Sequence, residues 1–572
     1  MKKCIPLLLF AVLCFASCNN AKDKKAESRD PEMVDVDAPE EKTPKGKKIT
    51  DRDYSISKEN AYNNMFLDSM AMEKYIADRQ LTDKKIANRM RSFYNARNYQ
   101  YAWFSPTGLT EQARFFWNQY DYAVNHLKDT TMANSSFFKQ ASQYMNQEKV
   151  VVGKADGGIL QTEFGLSEHF IRYINNTYEK GYVKRKEQEK FIPIRKMDPL
   201  DMADSLLNKK HKDDKYYEDV NDMYAALKKN LAVYYNLAKA GDWDPIPAVK
   251  KTLKKGDSSN IVVLVKKRLQ LIQDMEGSDS SAVFTDTLEL AVNKFQARHG
   301  YKATGLISAE LIKDMNVSPM ERLKQVLLNM DRMRWMPQKP TGHLIIVNLP
   351  EFMLHVMDGK EKVFDMVVVV GKVGNNTMMF NGDLNQIIFS PYWNVPMSII
   401  KSEIEPAVKR NPNYLANKNM ERIGNYIRQK PGPGNALGKV KFIFPNSFNM
   451  YFHDTPSKSL FGQDKRAFSH GCVRLSEPQK MAEWLLRNDP AWTREKIVKA
   501  MNQSHETSVK LKEAIPVFII YYTAWVDADG LLNFRDDVYQ HDKEVMQKMF
   551  IASAPASASV IRMDNMNISV QQ

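Results

Sequence analysis

The sequence predicts a multidomain α+β fold: a helical scaffold, a small three-helix module, and a mostly β C-terminal domain interrupted by an inserted lid. Three observations predict it. The chain has 572 residues, too many for one hydrophobic core. Apolar residues recur at helical spacing up to about residue 335 and alternate with period two from His343 onward. The alternating pattern stops over 399–438 and resumes at Val440.

Composition narrows the class. Apolar content of 43% and charged content of 26% describe a soluble, globular chain. Lys+Arg 82 against Asp+Glu 68 leaves a net charge of +14. The basic residues are dispersed and form no nucleic-acid fingerprint, so they read as a solvated surface or as affinity for a polyanionic matrix or membrane face. Of four cysteines, Cys4, Cys14 and Cys18 lie at the N-terminus and Cys472 stands by itself. That distribution excludes a multi-cysteine metal site and a disulfide within the body of the protein. No metal or cofactor motif is present, neither an HExxH nor a Walker loop.

The N-terminus reads as an export signal over 1–17. Lys2 and Lys3 precede an apolar run from Ile5 to Phe15, too short to span a membrane. The ending Phe15-Ala16-Ser17-Cys18 resembles a bacterial lipobox, which implies cleavage before Cys18 and lipidation of its thiol. An ordinary secretory signal cleaved elsewhere is the alternative. Residues 18–50 are rich in Lys, Asp, Glu and Pro and cannot form a core, so they read as a tether. After such processing Cys472 is the one free thiol in an oxidising compartment, a hazard unless it is used.

Residues 51–250 read as a helical scaffold. Phe116, Trp117 and Tyr120 form part of an apolar stripe, and Tyr99–Phe104 reads as an aromatic-rich loop. No constellation of titratable groups stands out there. Residues 255–319 read as a separate module of three helices, beginning with a Gly256-Asp257-Ser258 turn. An amphipathic connecting helix follows within 320–340, ended by Pro337 and Pro340. Residues 341–530 read as the β domain, with Asp358-Gly359 as a hairpin turn. The excursion over 399–438, with glycines at its exit, suggests a lid. Residues 531–572 form a C-terminal extension.

Chemistry concentrates between His453 and Arg474. A thiol that attacks a carbonyl needs a base or cation and donors for the developing oxyanion. His453, nineteen positions before Cys472, is too distant for one helical turn and suits two adjacent strand ends. Gly471 lets the backbone approach a substrate oxygen. Ser476 with Gln479 suggests a capping box opening a helix just after the thiol, whose N-terminus would favour thiolate.

Taken together, Ile346–Phe352, Val370-Gly371-Lys372, Pro391–Pro396, Pro431–Gly438, His453-Asp454-Thr455 and Ser469–Arg474 resemble the YkuD-type L,D-transpeptidase catalytic domain, in its large form with scaffold, peptidoglycan-binding module and capping subdomain. Lys372-Val373-Gly374-Asn375-Asn376 departs from the family's usual pattern. The resemblance implies Cys472 as nucleophile, His453 as base and the Asp454 carbonyl as the group orienting it. Ser469, His470, Gly471 and Arg474 would shape the thiol loop, and the Cys472 amide with a neighbouring amide would form the oxyanion hole. Tyr392, Trp393 and Asn394 are candidate substrate contacts; the two aromatic residues read equally as core. The implied partners are peptidoglycan stem peptides, a donor tetrapeptide and an acceptor, and a membrane through the Cys18 lipid, with no nucleic acid. A monomer on the periplasmic face of the envelope is expected. The implied reaction releases D-Ala and makes a 3→3 crosslink. Hydrolysis of the same acyl-enzyme, as in an L,D-carboxypeptidase, and a non-catalytic peptidoglycan-binding lipoprotein remain alternatives.

Overall fold

A computed structural model of the chain describes residues 49–552, apart from 127, 131, 146, 148–151, 153–156, 179–190, 209–221 and 337–341, together with 560 and 561. The signal segment, Cys18, the tether to residue 48, and Pro337 and Pro340 lie outside the described residues.

Lys84–Ala96, Glu111–Asp121, Ser135–Met145, Gly157–Tyr178 and Asp222–Ala240 are the main scaffold helices. Asp83 and Thr110 cap the first two by accepting from the Lys85 and Ala113 amides. Phe170 sets its ring edge against Trp103 and Phe116, each at 5.3 Å between centroids. The aromatic loop is held from below by Glu163, whose carboxylate accepts from the amides of Ala102, Trp103 and Phe104 at 2.7–3.2 Å. Burial pushes Glu163 up to about 7, against those amides. This buried carboxylate is a structural site that helical periodicity does not announce.

Asn260–Leu271, Asp286–Arg298 and Ala309–Met315 are capped by Ser259, Thr285 and Ser308. Their apolar residues, Val265, Leu288, Phe295 and Leu311 among them, join the scaffold's core without a break. Buried cations tie them down. Lys266 donates to Asp279 and to the Val283 carbonyl, both at 2.7 Å. Arg298 pairs with Asp274 and donates to the Leu532 carbonyl of the C-terminal hairpin.

The helix Pro319–Arg334 connects the parts of the body, but it is not amphipathic as expected. Twelve of its sixteen residues are buried, including Arg322, Asn329, Asp331 and Arg332. The reason is that its polar side chains find partners from distant segments. Arg332 lies between Glu111 at 2.9 Å and Asp542 at 2.6 Å. Asn329 donates to Thr523 Oγ1 at 2.8 Å, and Gln325 donates to the Thr523 carbonyl at 3.0 Å. A buried charge is tolerated when paired and hydrogen-bonded, so this helix serves as a strut between scaffold, β domain and the C-terminal helix His541–Met549.

The β domain is a nine-stranded sheet. We number its strands β1 (His343–Asn348), β2 (Met353–Asp358), β3 (Glu361–Gly371), β4 (Phe380–Phe389), β5 (Val440–Ile443), β6 (Tyr451–His453), β7 (Ala467–Ser469), β8 (Val473–Leu475) and β9 (Thr507–Ile520). Their order is β7-β3-β8-β6-β5-β4-β9-β1-β2, and β2 also pairs with β3, so the sheet closes on itself. Val347, Leu354, Val368, Ile387, Phe442, Phe452, Val473 and Leu475 fill its interior.

The insert between β4 and β5 is a small folded unit. Trp393–Asn394, Met420–Ile423 and Tyr426–Gln429 form a three-stranded sheet. Helical turns over Met397–Arg410 cover it, and Val395, Ile400, Ile404 and Ile427 make its own core.

Candidate active site

The thiol row grows from strand register. β6 and β8 run parallel with Phe452 beside Val473 and His453 beside Arg474. Phe452 and Val473 point into the domain core, so by alternation Tyr451, His453, Cys472 and Arg474 share the opposite face. β5 adds Lys441 directly across from His453. Thus His453 and Cys472 stand on neighbouring strands, with Cys472 one step before the first residue of β8.

Each group has a defined setting. His453 is buried, and its Nδ1 meets the Asp454 carbonyl at 2.5 Å. Burial, then the Arg474 charge, lowers its pKa to about 4. Asp454 is itself locked: its carboxylate accepts from the amides of Lys439 and Thr455 and from Lys458 Nζ. Gly438 allows this approach. Its φ is +63°, and a Cβ there would meet the Asp454 side chain at 2.4 Å. Cys472 keeps partial exposure, yet its sulfur is in a dry environment that raises the thiol pKa. The amide and hydroxyl of Tyr451, then the Arg474 charge, work against that rise. At neutral pH the free site therefore holds a neutral thiol beside a neutral imidazole.

The turn before the thiol is held by short bonds. Ser469 Oγ donates to the Cys472 carbonyl at 2.6 Å and accepts the Gly471 amide at 3.1 Å. Gly471 has φ +118°, outside the ordinary range of residues with a Cβ. Its amide donates to Ser469 Oγ in this arrangement. Thr377 Oγ1 donates to the Gly471 carbonyl at 2.8 Å, and Tyr539 donates to the Gly371 carbonyl at 2.8 Å.

The expected helix-dipole assistance is absent. The helix after the thiol is Pro478–Leu485, with Glu477 at its N-cap and no side-chain cap bond. Val473–Leu475 intervene as a strand, and the Ser476 amide still pairs with the Val367 carbonyl. Ser476 thus belongs to the sheet ladder, too far along the chain for the helix's first turn to reach the sulfur.

The other predicted residues separate. His470 is exposed and meets Glu403 of the insert at 3.1 Å. Tyr392 lies under the Arg428 guanidinium, and its amide donates to Glu506. Trp393 packs on the insert's core, and Asn394 pairs with Arg428 across its sheet. These three form the root of the insert, with no hydrogen bond to the thiol row among the described residues. A cavity of about 670 Å³ opens behind the 373–379 loop, lined by Trp117, Met379, Phe448 and His541, and none of the thiol-row residues lines it. Among the described residues no cluster of His, Cys, Asp or Glu could hold a metal ion. Tyr451 and Thr377 are site residues that sequence reasoning missed. Tyr451 is two residues from His453 in a strand, and period two alone places it on the same face.

Residues 342–497 match the family model described as the L,D-transpeptidase catalytic domain, YkuD, and residues 88–231 match one described as a scaffold domain. The chain therefore carries a YkuD-type L,D-transpeptidase catalytic domain joined to a scaffold domain. A curated Haemophilus influenzae protein called "Putative L,D-transpeptidase" is 28% identical over 243 residues, 39% of this chain and 49% of that protein. The chain thus spans about half the length of that relative. Two solved structures are also similar. One is an L,D-transpeptidase from Stackebrandtia nassauensis (14% identity, 47% of this chain, 97% of that chain, TM-score 0.21). The other is an L,D-transpeptidase from Mycobacterium smegmatis (14% identity, 31% of this chain, 58% of that chain, TM-score 0.18).

Proposed function

We propose that the protein is a peptidoglycan L,D-transpeptidase that forms 3→3 crosslinks through a cysteinyl acyl-enzyme. The observation that carries this reading is the placement of His453 at the end of β6 and Cys472 immediately before the adjacent β8, on one face of the sheet. Neutral His453, fixed through Nδ1 by the Asp454 carbonyl, takes the thiol proton as the sulfur attacks the carbonyl carbon of the donor's third residue. The Cys472 amide faces the oxygen that gains charge. The peptide C–N bond breaks, D-Ala leaves with the proton from His453, and a thioester remains. The side-chain amine of an acceptor stem then attacks the thioester, gives a proton to His453, and releases the thiol. The folded insert, linked to the thiol loop through Glu403 and His470, serves as a lid that keeps water from the thioester.

In this reading 1–17 direct export, Cys18 carries the lipid, and a monomeric body works on the periplasmic face of a membrane. No described helix is long and apolar enough to cross a membrane. The 255–319 helices are proposed to hold peptidoglycan. Product analysis by mass spectrometry tests the activity. Incubation with a disaccharide-tetrapeptide should yield 3→3 dimers; tripeptide monomers without dimers would mean hydrolysis of the acyl-enzyme instead.

A further inference from the structure

Lys441 sets a half-buried cation on the face of the sheet that carries the thiol row. In β5, Val440 and Phe442 are fully buried in the domain core. Lys441 therefore points to the opposite face, directly across from His453. Its ammonium lies 6.0 Å from the Tyr451 ring centre, the same Tyr451 whose hydroxyl lies against the Cys472 thiol. Among the described residues no hydrogen bond or ion pair engages the Lys441 ammonium. Glu506 is the acidic group that acts on it, and a Glu506 oxygen is committed to the Tyr392 amide at 2.9 Å. Burial lowers the Lys441 pKa.

Lys266, a fully buried lysine, shows the fuller case. Lys266 has four acceptors within 3.0 Å: Asp279, both oxygens of Ser281, and the Val283 carbonyl. A partly desolvated ammonium without an acceptor bears part of the cost that Lys266 avoids. An apolar residue of similar length would avoid that cost at a position with no ligand. An arriving anion removes it.

We infer that Lys441 is a specificity-determining residue that binds a carboxylate of the donor peptide. The inference rests on the transpeptidase reading above. Lys441 is two strand spacings from Arg474, and Cys472 lies two residues back along that line, roughly 12 Å from Lys441. One peptide residue covers about 3.5 Å, and the flexible four-carbon stem of lysine covers much of the rest. A carboxylate one residue from the attacked carbonyl, or on the third residue's side chain, falls within that span. Arg474, on the far side of His453, also lacks a partner among the described residues, but its charge already acts on the imidazole and the thiol.

The test measures binding without turnover, in the full chain carrying Cys472→Ala. Three tetrapeptides are compared by calorimetry: the free acid, the C-terminal amide, and the peptide amidated on the third residue's side-chain carboxylate. With Lys441 present, one amide should bind about 10-fold or more weaker than the free acid, and which amide does so identifies the carboxylate. Lys441→Met should bind acid and amides alike, and Lys441→Arg should retain the preference. Equal thermal transitions in the two Lys441 variants exclude misfolding. A preference that survives Lys441→Met, an equal loss for all three peptides, or no preference with Lys441 present would overturn the inference. A chain with Cys472 intact whose Lys441-dependent preference persists but which makes no crosslink would overturn the transpeptidase reading alone. No binding of any peptide would overturn both.

Discussion

Thr377 donates a 2.8 Å hydrogen bond to the carbonyl of Gly471, the residue that precedes the thiol. The same hydroxyl accepts the Gly371 amide at 2.8 Å, so one side chain ties the end of β3 to the thiol turn. Thr377→Val keeps the shape and removes both bonds. We expect kcat to fall by about 10-fold or more, in proportion to the two lost buried hydrogen bonds, with Thr377→Ser restoring it. Steady-state kinetics on the three proteins checks this. Unchanged kcat in the valine variant would remove Thr377 from the site.

The acid limb of activity should lie unusually low. kcat/KM reports the free enzyme's essential base, and burial and Arg474 hold His453 at about 4. His453 is then neutral, and active as a base, at all pH above that value. Activity should persist through pH 5 to 6, where an ordinary imidazole is already protonated. Arg474→Met removes the second of those causes, so its acid limb should move upward.

Tyr451 favours the thiolate of Cys472 through its amide and hydroxyl. Tyr451→Phe removes the hydroxyl, so the thiol pKa should rise further. The pH midpoint for alkylation of Cys472 by iodoacetamide reads this directly. A midpoint that stays in place would show that the hydroxyl does not act on the sulfur.

His355 gives a stability signature away from the thiol. Burial opposes its charge, but Asp365 at 2.7 Å and Glu351 at 3.1 Å outweigh it and raise its pKa to about 9. The folded value exceeds the unfolded one, so this contribution is complete below about pH 6.5 and is lost as pH rises toward 9. Urea denaturation should show a loss on the order of 2–3 kcal/mol across that window, absent in His355→Gln.

The site was more legible than the packing around it. Cys472 and His453 stand out because a lone thiol, a histidine and period-two strands converge on a short stretch. The thiolate-stabilising helix did not materialise, because Ser476 remains in the ladder with Val367; a capping-box pattern cannot tell an N-cap from the last residue of a strand. The Pro319–Arg334 helix has the polar content of a surface helix, yet Glu111, Thr523 and Asp542 bury it. Those partners lie about 200 residues away in sequence, beyond the reach of any local pattern. The insert was legible as an interruption, while its hairpin was hidden by short, polar strands.

The most direct test is Cys472→Ala incubated with a disaccharide-tetrapeptide beside the unaltered chain. The unaltered chain should give 3→3 dimers and release D-Ala, and the variant should give neither while its thermal transition is preserved. Dimers formed at an undiminished rate by Cys472→Ala would contradict this.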